Sequence, residues 1–173
     1  MTDREPSKTT NLDIYGNAVL PWSRAHDLLE DSPNQPLAFF LGTVRPNGRP
    51  HSAELYALWY DGDFYFVSGP TTRKSRNLAA NPNCTISVRL NGLSLTLEGE
   101  AHRITDAPTL ETMAKHFRDH GWPVEVQGDA VTAPYNAPSA GKPPYYIYRF
   151  TFYTAFGIAT AEPNGATRWR FAR

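Results

Sequence analysis

The sequence predicts a mainly β protein, a small antiparallel barrel with short helices at its ends. Six segments that alternate apolar and polar residues, or are rich in aromatic residues, are separated by turn signals. Only short stretches between them have helical spacing, and such a mixture is typical of a small barrel. The 173 residues contain no internal repeat and no domain boundary. We therefore expect a polar arm over residues 1–20 and a single domain over residues 21–173.

The strands follow from these patterns in chain order. Residues 45–48 form a turn between the first two strands, and residues 61–63 return the chain tightly into the third. Asn91-Gly92 is the hairpin signal between the next two. Residues 133–144 are too rich in proline for regular structure and are predicted to form an ordered loop before the last strand. The predicted strands cover residues 37–44, 49–60, 64–67, 84–90, 93–104 and 145–158.

Three short helices are predicted. Ser23 is a candidate N-cap for a first helix that ends at Glu30. A second helix begins after the hydroxyl of Thr71 or Thr72 and stops at the Asn-Pro-Asn of residues 81–83. A third opens at Asp106, carries one apolar stripe and closes near residue 121, so it is expected to dock on the sheet.

Composition limits the classes of function. Lys+Arg and Asp+Glu both count 17, so the net charge is +0 and a generic nucleic-acid or anionic-membrane surface is not expected. Cys84 is the single cysteine, which excludes an internal disulfide and suits a reducing compartment. No apolar stretch approaches the length of a membrane span. We expect a cytoplasmic protein whose basic sites are local.

The start of the second helix breaks a rule of helix electrostatics. Arg73 and Lys74 follow the hydroxyl cap at once, although the first turn carries partial positive charge and unsatisfied amides. An external anion bound by the amides, the hydroxyls and the two cations would compensate for this. The segment therefore predicts a phosphate site. The alternative interpretation is a solvated basic helix end.

Short motifs occur in a fixed order along the chain. They are Gly48-Arg49-Pro50, Tyr60-Asp61-Gly62, Phe64-Tyr65-Phe66, Thr72-Arg73-Lys74, Asn77-Leu78, Asn81-Pro82, Leu97-Glu98-Gly99-Glu100-Ala101 and the closing Thr167-Arg168-Trp169-Arg170-Phe171. In this order the chain resembles the pyridoxamine 5'-phosphate oxidase-like family of flavin and deazaflavin proteins, which has the split β-barrel fold. The resemblance implies a Greek-key barrel, a homodimer, and two cofactor sites at the subunit interface.

The resemblance also implies roles for residues. Those at the strand-to-helix segment would contact the phosphate or the cofactor backbone, the strand that begins at His51 would lie along the ring system, and the terminal motif would approach from near the interface. The cofactor-binding residues expected on these grounds are His51, Ser52, Ala53, Ser68, Thr72, Arg73, Lys74, Asn77, Arg168 and Trp169.

Two departures from the oxidases favour one branch of the family. Where those enzymes place an arginine and a lysine on the second strand, this chain has Ala53 and Leu58, and their glutamine after the next hairpin is Ser94. Lost charge-assisted contacts cost about 1.5–3 kcal/mol each. The pattern therefore favours the 8-hydroxy-5-deazaflavin coenzyme F-420 over FMN, which stays the alternative.

Other candidates have plainer interpretations. His51 could donate to a ring carbonyl or be structural. His116 and His120 have a spacing that suits a metal, but no third ligand is evident, so a solvated helix face is preferred and no metal is expected. Trp122, Tyr135 and Tyr145 could line a substrate pocket, although packing under the loop is the preferred interpretation. Glu54 is expected to point outward.

No nucleophile with an adjacent base is evident, which suits chemistry carried by a cofactor, and no catalytic residue is identified. The leading hypothesis is an oxidoreductase in which reduced deazaflavin delivers a hydride to an unsaturated or quinone-like small molecule. Alternatives are an FMN-dependent oxidase or reductase, and a carrier that binds a flavin or haem without turnover. A nucleic-acid binder is a distant further alternative.

Overall fold

A computed structural model describes residues 4–173 and shows eleven strands and three α-helices. The α-helices are α1 (Trp22–Asp31), α2 (Arg73–Ala80) and α3 (Ala107–Asp119), with a short 3₁₀ helix at Ser32–Asn34. The strands are β1 (Lys8–Asn11), β2 (Phe39–Val44), β3 (Pro50–Leu55), β4 (Ala57–Tyr60), β5 (Asp63–Ser68), β6 (Asn83–Leu90), β7 (Leu93–Arg103), β8 (Glu125–Gln127), β9 (Ala130–Thr132), β10 (Tyr146–Ala159) and β11 (Ala166–Arg170).

Nine strands form one antiparallel sheet in the order β1-β11-β10-β7-β6-β2-β3, with β5 on the first half of β10 and β4 on β5. β3 and β4 lie at the two ends of the path β3-β2-β6-β7-β10-β5-β4 and are separated in the chain by Tyr56 alone. The mainly β antiparallel fold with short helices is confirmed. No hydrogen-bonded pairing between β3 and β4 closes a barrel among residues 4–173.

The long strand β10 holds the sheet together because it pairs with β7 along most of its length and with β5 and β11 on its other edge. Its register against β7 shifts between Phe152 and Thr154. Gly99 lies opposite this bulge, where an added Cβ would stand 2.1 Å from the carbonyl oxygen of Thr151. Only glycine permits so close an approach of two backbones.

The helices follow their sequence signals with one correction. Asp106 caps α3 by accepting from the amide of Thr109 at 3.0 Å. Thr72 caps α2, which settles the choice left open between the two threonines. Ser23 does not cap α1, because that helix already begins at Trp22, after Pro21, and has no side-chain cap.

Two apolar clusters fill the molecule. The larger lies inside the curved sheet and includes Phe39, Phe64 and Trp169. The smaller packs the apolar stripe of α3 on the outer face of the β4–β5 hairpin, with Leu58 and Phe117 among its fully buried members. The predicted docking of α3 on the sheet is confirmed.

The structure differs from the sequence-based expectation in four segments, one of which is β11, a strand that was not predicted. Residues 8–11 of the predicted arm form β1, which pairs with β11, and residues 1–3 lie outside the described range. The predicted strand over residues 49–60 is interrupted at Tyr56, whose exposed side chain marks the bend between β3 and β4. The β8–β9 hairpin was not predicted. Along residues 4–173, none of the helices is long and apolar enough to cross a membrane.

Candidate functional site

The start of α2 is built as the sequence predicts. The Thr72 hydroxyl accepts from the amide of Ser75 at 3.3 Å, so one first-turn amide is satisfied within the protein. The amides of Arg73 and Lys74 precede the first intrahelical hydrogen bonds and have no partner of that kind. No acidic residue lies in this turn. The electrostatic conflict seen in the sequence is therefore present in the folded protein.

A network of hydroxyl groups fixes the turn between β5 and α2. The Ser68 and Thr72 hydroxyl oxygens are 2.8 Å apart, and Ser75 donates to Ser68 at 2.8 Å. Thr72 also donates to the carbonyl oxygen of Gly69 at 2.9 Å. Ser68 and Ser75 are buried, so these bonds hold the helix start rigidly against the end of the strand.

Both cations at this turn are half-buried and lack a carboxylate partner. Neither Arg73 nor Lys74 takes part in an ion pair or a side-chain hydrogen bond within residues 4–173. Burial lowers the pKa of the Lys74 ammonium. A partly desolvated cation without a partner is unfavourable, and a bound anion would relieve that cost.

A second polar chain connects α2 to the β2–β3 hairpin. Asn77 is fully buried and donates through Nδ2 to the Thr43 hydroxyl at 3.0 Å, while its Oδ1 has no partner. Thr43 lies opposite His51 in the register, with Oγ1 and Nδ1 3.5 Å apart. Burial, and then the positive charges of Arg45, Lys74 and Arg73, lower the pKa of His51. The hairpin and the helix start thus surround His51 with cations.

A cavity of about 400 Å³ opens beside this turn. Ser68 and Lys74 line one end of it, and Glu54 and Tyr56 come from the end of β3 and the bend after it. The remaining wall is formed by the end of α3 and the loop after β9, with Trp122 among its side chains. The size falls within the usual range for small-molecule sites, about 300–1,000 Å³.

Hydrogen bonds and one close backbone contact hold the proline-rich loop against the rest of the protein. Trp122 donates through Nε1 to the carbonyl oxygen of Tyr135 at 2.8 Å, and the Tyr135 hydroxyl donates to the carbonyl of Gly121 at 3.2 Å. An added Cβ on Gly69 would lie 2.0 Å from the carbonyl oxygen of Ala140. Gly69 therefore lets the loop backbone lie directly on the β5–α2 turn, and the loop is ordered without regular structure, as predicted.

The structure brings most of the predicted site residues together. Ser68, Thr72, Arg73 and Lys74 form the β5–α2 turn, and His51 and Asn77 are linked to it through Thr43. Ser68 and Lys74 line the cavity itself.

The other predicted residues are placed differently. Ser52 is exposed on β3, on the opposite face from Ala53, which is half-buried and lies opposite Leu41. Arg168 is half-buried on β11. Trp169 is only 1% exposed and donates to the carbonyl of Leu20 at 3.2 Å inside the main core. This burial leaves the Trp169 ring no surface to offer a cofactor, and we do not assign it to the site.

The cavity wall contains aromatic residues for which packing was the preferred interpretation. Trp122 packs on the smaller cluster and bonds to the loop, as that interpretation expects, and it also lines the cavity. Tyr135 is 58% exposed and lines the cavity, so packing does not describe it. Tyr145 is buried and donates to the carbonyl of Gly141 at 3.1 Å, so packing holds for it. Glu54 is exposed, as predicted, yet lies at the cavity rim. In the sequence, the pattern that indicates this cavity wall is the presence of aromatic residues next to a proline-rich segment.

The two helix histidines have separate surroundings. The His116 ring lies 4.1 Å from the ring of Tyr60, measured between centroids, and His120 lines the cavity. In the part of the chain that the structure describes, no group of three His, Cys, Asp or Glu side chains could hold a metal.

The residues present fit the phosphate end of a flavin-type cofactor. They supply two cations that have no ion-pair partner within the described part of the chain, two first-turn amides and a buried hydroxyl next to a cavity with aromatic walls. At the two positions where the resemblance to the oxidases implies an arginine and a lysine, this chain has the apolar Ala53 on β3 and Leu58 on β4, which is 1% exposed within the smaller cluster. A cation at position 58 would be buried among apolar side chains.

Comparison with known proteins agrees with this geometry. A family model described as pyridoxamine 5'-phosphate oxidase matches residues 25–152. A pyridoxine/pyridoxamine 5'-phosphate oxidase of Bacteroides thetaiotaomicron is 29% identical over 119 residues, which cover 67% of this chain and 53% of that protein. The chain thus spans about half the length of the curated relatives it matches.

Solved structures share the fold at low sequence identity. A pyridoxamine 5'-phosphate oxidase-related, FMN-binding protein from Nostoc punctiforme is 16% identical, with a TM-score of 0.57 and coverage of 86% of this chain and 90% of that one. An F-420 reductase is 22% identical, with a TM-score of 0.51 and coverage of 75% and 94%. These similarities concern the fold alone.

Proposed function

Because the chain belongs to the pyridoxamine 5'-phosphate oxidase family, we propose that it is an oxidoreductase that binds a deazaflavin coenzyme of the F-420 type and reduces an unsaturated small molecule. Members of this family are generally flavin-dependent oxidoreductases. The observation that carries the proposal is the pair of half-buried cations Arg73 and Lys74, without an ion-pair partner among residues 4–173, at the start of a helix beside a cavity with aromatic walls. This combination suits a phosphate attached to a flat ring system.

The choice of deazaflavin over FMN rests on β3 and β4. This chain has Ala53 on β3 and Leu58 on β4, where the resemblance implies the two cations of the oxidases. Leu58 is buried in the smaller apolar cluster. Each lost charge-assisted contact costs about 1.5–3 kcal/mol in a desolvated site. The two cations that remain, Arg73 and Lys74, suit a ligand whose phosphate forms fewer charge-assisted contacts with the protein. An F-420 reductase and an FMN-binding protein share the fold, so the fold itself accommodates both groups.

The chain's own residues have three tasks in this proposal. Arg73, Lys74 and the first-turn amides bind the phosphate, and the hydroxyl network around Ser68 keeps that turn rigid. The Trp122 and Tyr135 side chains provide flat surfaces for an unsaturated acceptor and keep water from one wall of the cavity. When bound, the coenzyme supplies the hydride, so the protein needs to supply only binding, orientation and a proton.

We further propose that two copies of the chain form a homodimer with the cofactor sites at their interface, as the family resemblance implies. Two large aromatic side chains at the cavity, Tyr56 and Tyr135, are 46% and 58% exposed in the single chain. A second copy would cover such surface, and Arg168 of that copy would approach the site from the interface.

The proposal is tested by parallel titrations of the purified protein with the deazaflavin coenzyme and with FMN, after its visible spectrum has been recorded. Tighter binding of the deazaflavin, followed by oxidation of the reduced coenzyme in the presence of enones or quinones, is the expected result. Tighter binding of FMN would move the function to FMN-dependent chemistry. Tight binding without turnover on any acceptor would indicate a carrier. Sedimentation at several protein concentrations tests the homodimer.

A further inference from the structure

The cavity is lined by two chemically different sets of residues. One set, Lys74 and Ser68, adjoins the proposed phosphate site. The other set, His120, Trp122 and Tyr135, comes from the residues after α3 and from the loop after β9. If the phosphate and ring lie beside the first set, the acceptor lies beside the second.

The imidazole of His120 is held in one orientation there. Its Nδ1 is 2.8 Å from the carbonyl oxygen of His116, one helical turn earlier. A carbonyl oxygen only accepts, so Nδ1 must carry the hydrogen in this bond. The bond leaves Nε2 as the free ring nitrogen of a side chain that lines the cavity. His120 is exposed, so protons exchange readily between its ring and the solvent.

The charged residues around the cavity restrict the acceptor. Among the residues that the structure describes, Lys74 is the only Lys or Arg that lines the cavity, and it adjoins the phosphate site. The second set of residues therefore includes no fixed cation to bind a phosphate ester, whereas it has two aromatic side chains and one imidazole. This set suits a flat acceptor with an uncharged carbonyl group.

We propose that His120 is a catalytic residue that donates a hydrogen bond and then a proton through Nε2 to the carbonyl oxygen of a flat, non-phosphorylated, α,β-unsaturated acceptor held by Trp122 and Tyr135. This inference rests on the proposed function. It adds the acceptor's chemical class and assigns the residue that protonates it.

The step balances in atoms and electrons. The β-carbon of the acceptor would receive a hydride, with its two electrons, from the reduced deazaflavin, which would be oxidised. A C–H bond would form there while the C=C π bond opens and negative charge develops on the carbonyl oxygen. Protonated His120 gives its Nε2 proton to that oxygen, which yields an enol and a neutral imidazole. Solvent reprotonates the exposed ring, and the enol becomes the saturated carbonyl compound in water. General acids in this role contribute about 10²–10⁴-fold to the rate.

Several charged or titratable groups face His120. Asp119 and His116 belong to its own helix. Glu54 on β3, Lys74 on α2 and Tyr135 on the loop line the same cavity. A general acid must carry its proton to act, so the proposal predicts that kcat/KM falls as the pH rises and His120 is deprotonated.

One test needs no coenzyme. Nitrogen-15 NMR of the free protein is expected to show the Nδ1–H tautomer for neutral His120. Acetophenone, a flat aromatic ketone that cannot be turned over by hydride addition to a C=C bond, is expected to shift the His120 ring signals but not those of His116. With Nδ1 bonded to the His116 carbonyl, only the protonated ring carries a hydrogen on Nε2, so the bond to the acetophenone oxygen is charge-assisted. Measured with the ring protonated, His120→Ala should bind acetophenone about 10–150-fold more weakly. No shift at His120 upon saturation with acetophenone would overturn the assignment.

The second test uses the coenzyme-loaded protein with cinnamaldehyde as the acceptor. His120→Ala is expected to lower kcat about 10²-fold or more. His120→Gln retains an N–H donor at the end of the side chain, so it should keep KM near the wild-type value, yet it should lower kcat and abolish the fall with rising pH. His116→Gln is the matched control, since that side chain packs on Tyr60 outside the cavity. An unchanged kcat and pH profile in both His120 variants would overturn the proposal.

The two tests separate this inference from the proposed function. If the wild type fails to bind or oxidise any coenzyme, the proposed function fails, and the acetophenone experiment still decides whether His120 recognises a carbonyl. If the wild type turns over normally and the His120 variants match it, the proposed function stands and the role of His120 is refuted.

Discussion

Replacing Arg73 and Lys74 together by alanine is expected to weaken coenzyme binding strongly. Both side chains are half-buried and have no carboxylate partner among residues 4–173, so each is free to bond to an anion. A charge-assisted hydrogen bond contributes about 1.5–3 kcal/mol. Because both cations would act on one phosphate, their contributions do not add fully, and we expect a total loss of about 2–4 kcal/mol. The dissociation constant should therefore rise about 30- to 900-fold.

The same double substitution should stabilise the protein without coenzyme. A cation in the first turn of a helix opposes the helix dipole at a cost of about 0.3–1 kcal/mol. Lys74 also loses part of its hydration when the chain folds, as the lowered pKa of its ammonium indicates. Removing both charges should raise the melting temperature of the coenzyme-free protein by about 2–4 °C, the shift that about 1 kcal/mol produces in a chain of this size.

The assay is a fluorescence titration with the deazaflavin coenzyme, together with thermal melts in its absence. Arg76→Ala is the matched control, since Arg76 lies on the same helix, carries the same charge and is exposed. Its affinity should stay within about twofold of the wild type, because an exposed charge outside the site contributes little. The phosphate site is refuted if the double variant binds as tightly as the wild type, or if Arg76→Ala loses as much affinity.

Three further predictions concern other groups. The pKa of His51 is lowered from 6.5 by burial and by neighbouring cations, and a bound anion would offset those cations and raise it. Coenzyme affinity should therefore increase as the pH falls below 6.5, and titrations of His51→Ala should lack this slope. Burial raises the pKa of the Cys84 thiol to about 12, so a disulfide reagent at about pH 8 should react only after urea unfolds the protein, and rapid reaction of the native protein would contradict the burial. Asp63 is 3% exposed and accepts from Arg149 at 2.6 Å, so Asp63→Asn should lower the free energy of unfolding by about 1–3 kcal/mol in urea. An unchanged urea midpoint would show that this pair does not stabilise the fold.

Much of the fold could be predicted from local patterns. The alternation of Leu93, Leu95 and Leu97 identified β7, since the period of side chains along a strand is two. The Asp106 cap and the apolar stripe identified α3 for the same kind of reason. The β8–β9 hairpin was not predicted, because each of its strands is three residues long and contains too few positions for a periodic signal.

The candidate site was predictable where the signal was local. The hydroxyl cap and the two cations are adjacent in sequence, so the conflict with the helix dipole was evident before folding. The placement of Trp169 was not predictable, because a tryptophan on a strand is assigned to the core or to a site only by what packs on it. The cavity wall formed by Trp122 and Tyr135 could not be predicted, because it depends on contacts between the residues after α3 and the loop after β9. Trp122 and Tyr135 are 13 residues apart in the chain.

The sequence by itself determined the mainly antiparallel β architecture, the helix with a basic first turn, and the presence of Ala53 and Leu58 where the resemblance to the oxidases implies cations. Each of these depends on residue identity or on spacing within one element. Only the tertiary structure decided that the loop lies on Gly69, that Lys74 has no ion-pair partner among residues 4–173, and that His120 faces the same cavity. These facts are set by which distant elements pack together, and the burial and pairing of a charge depend on that packing.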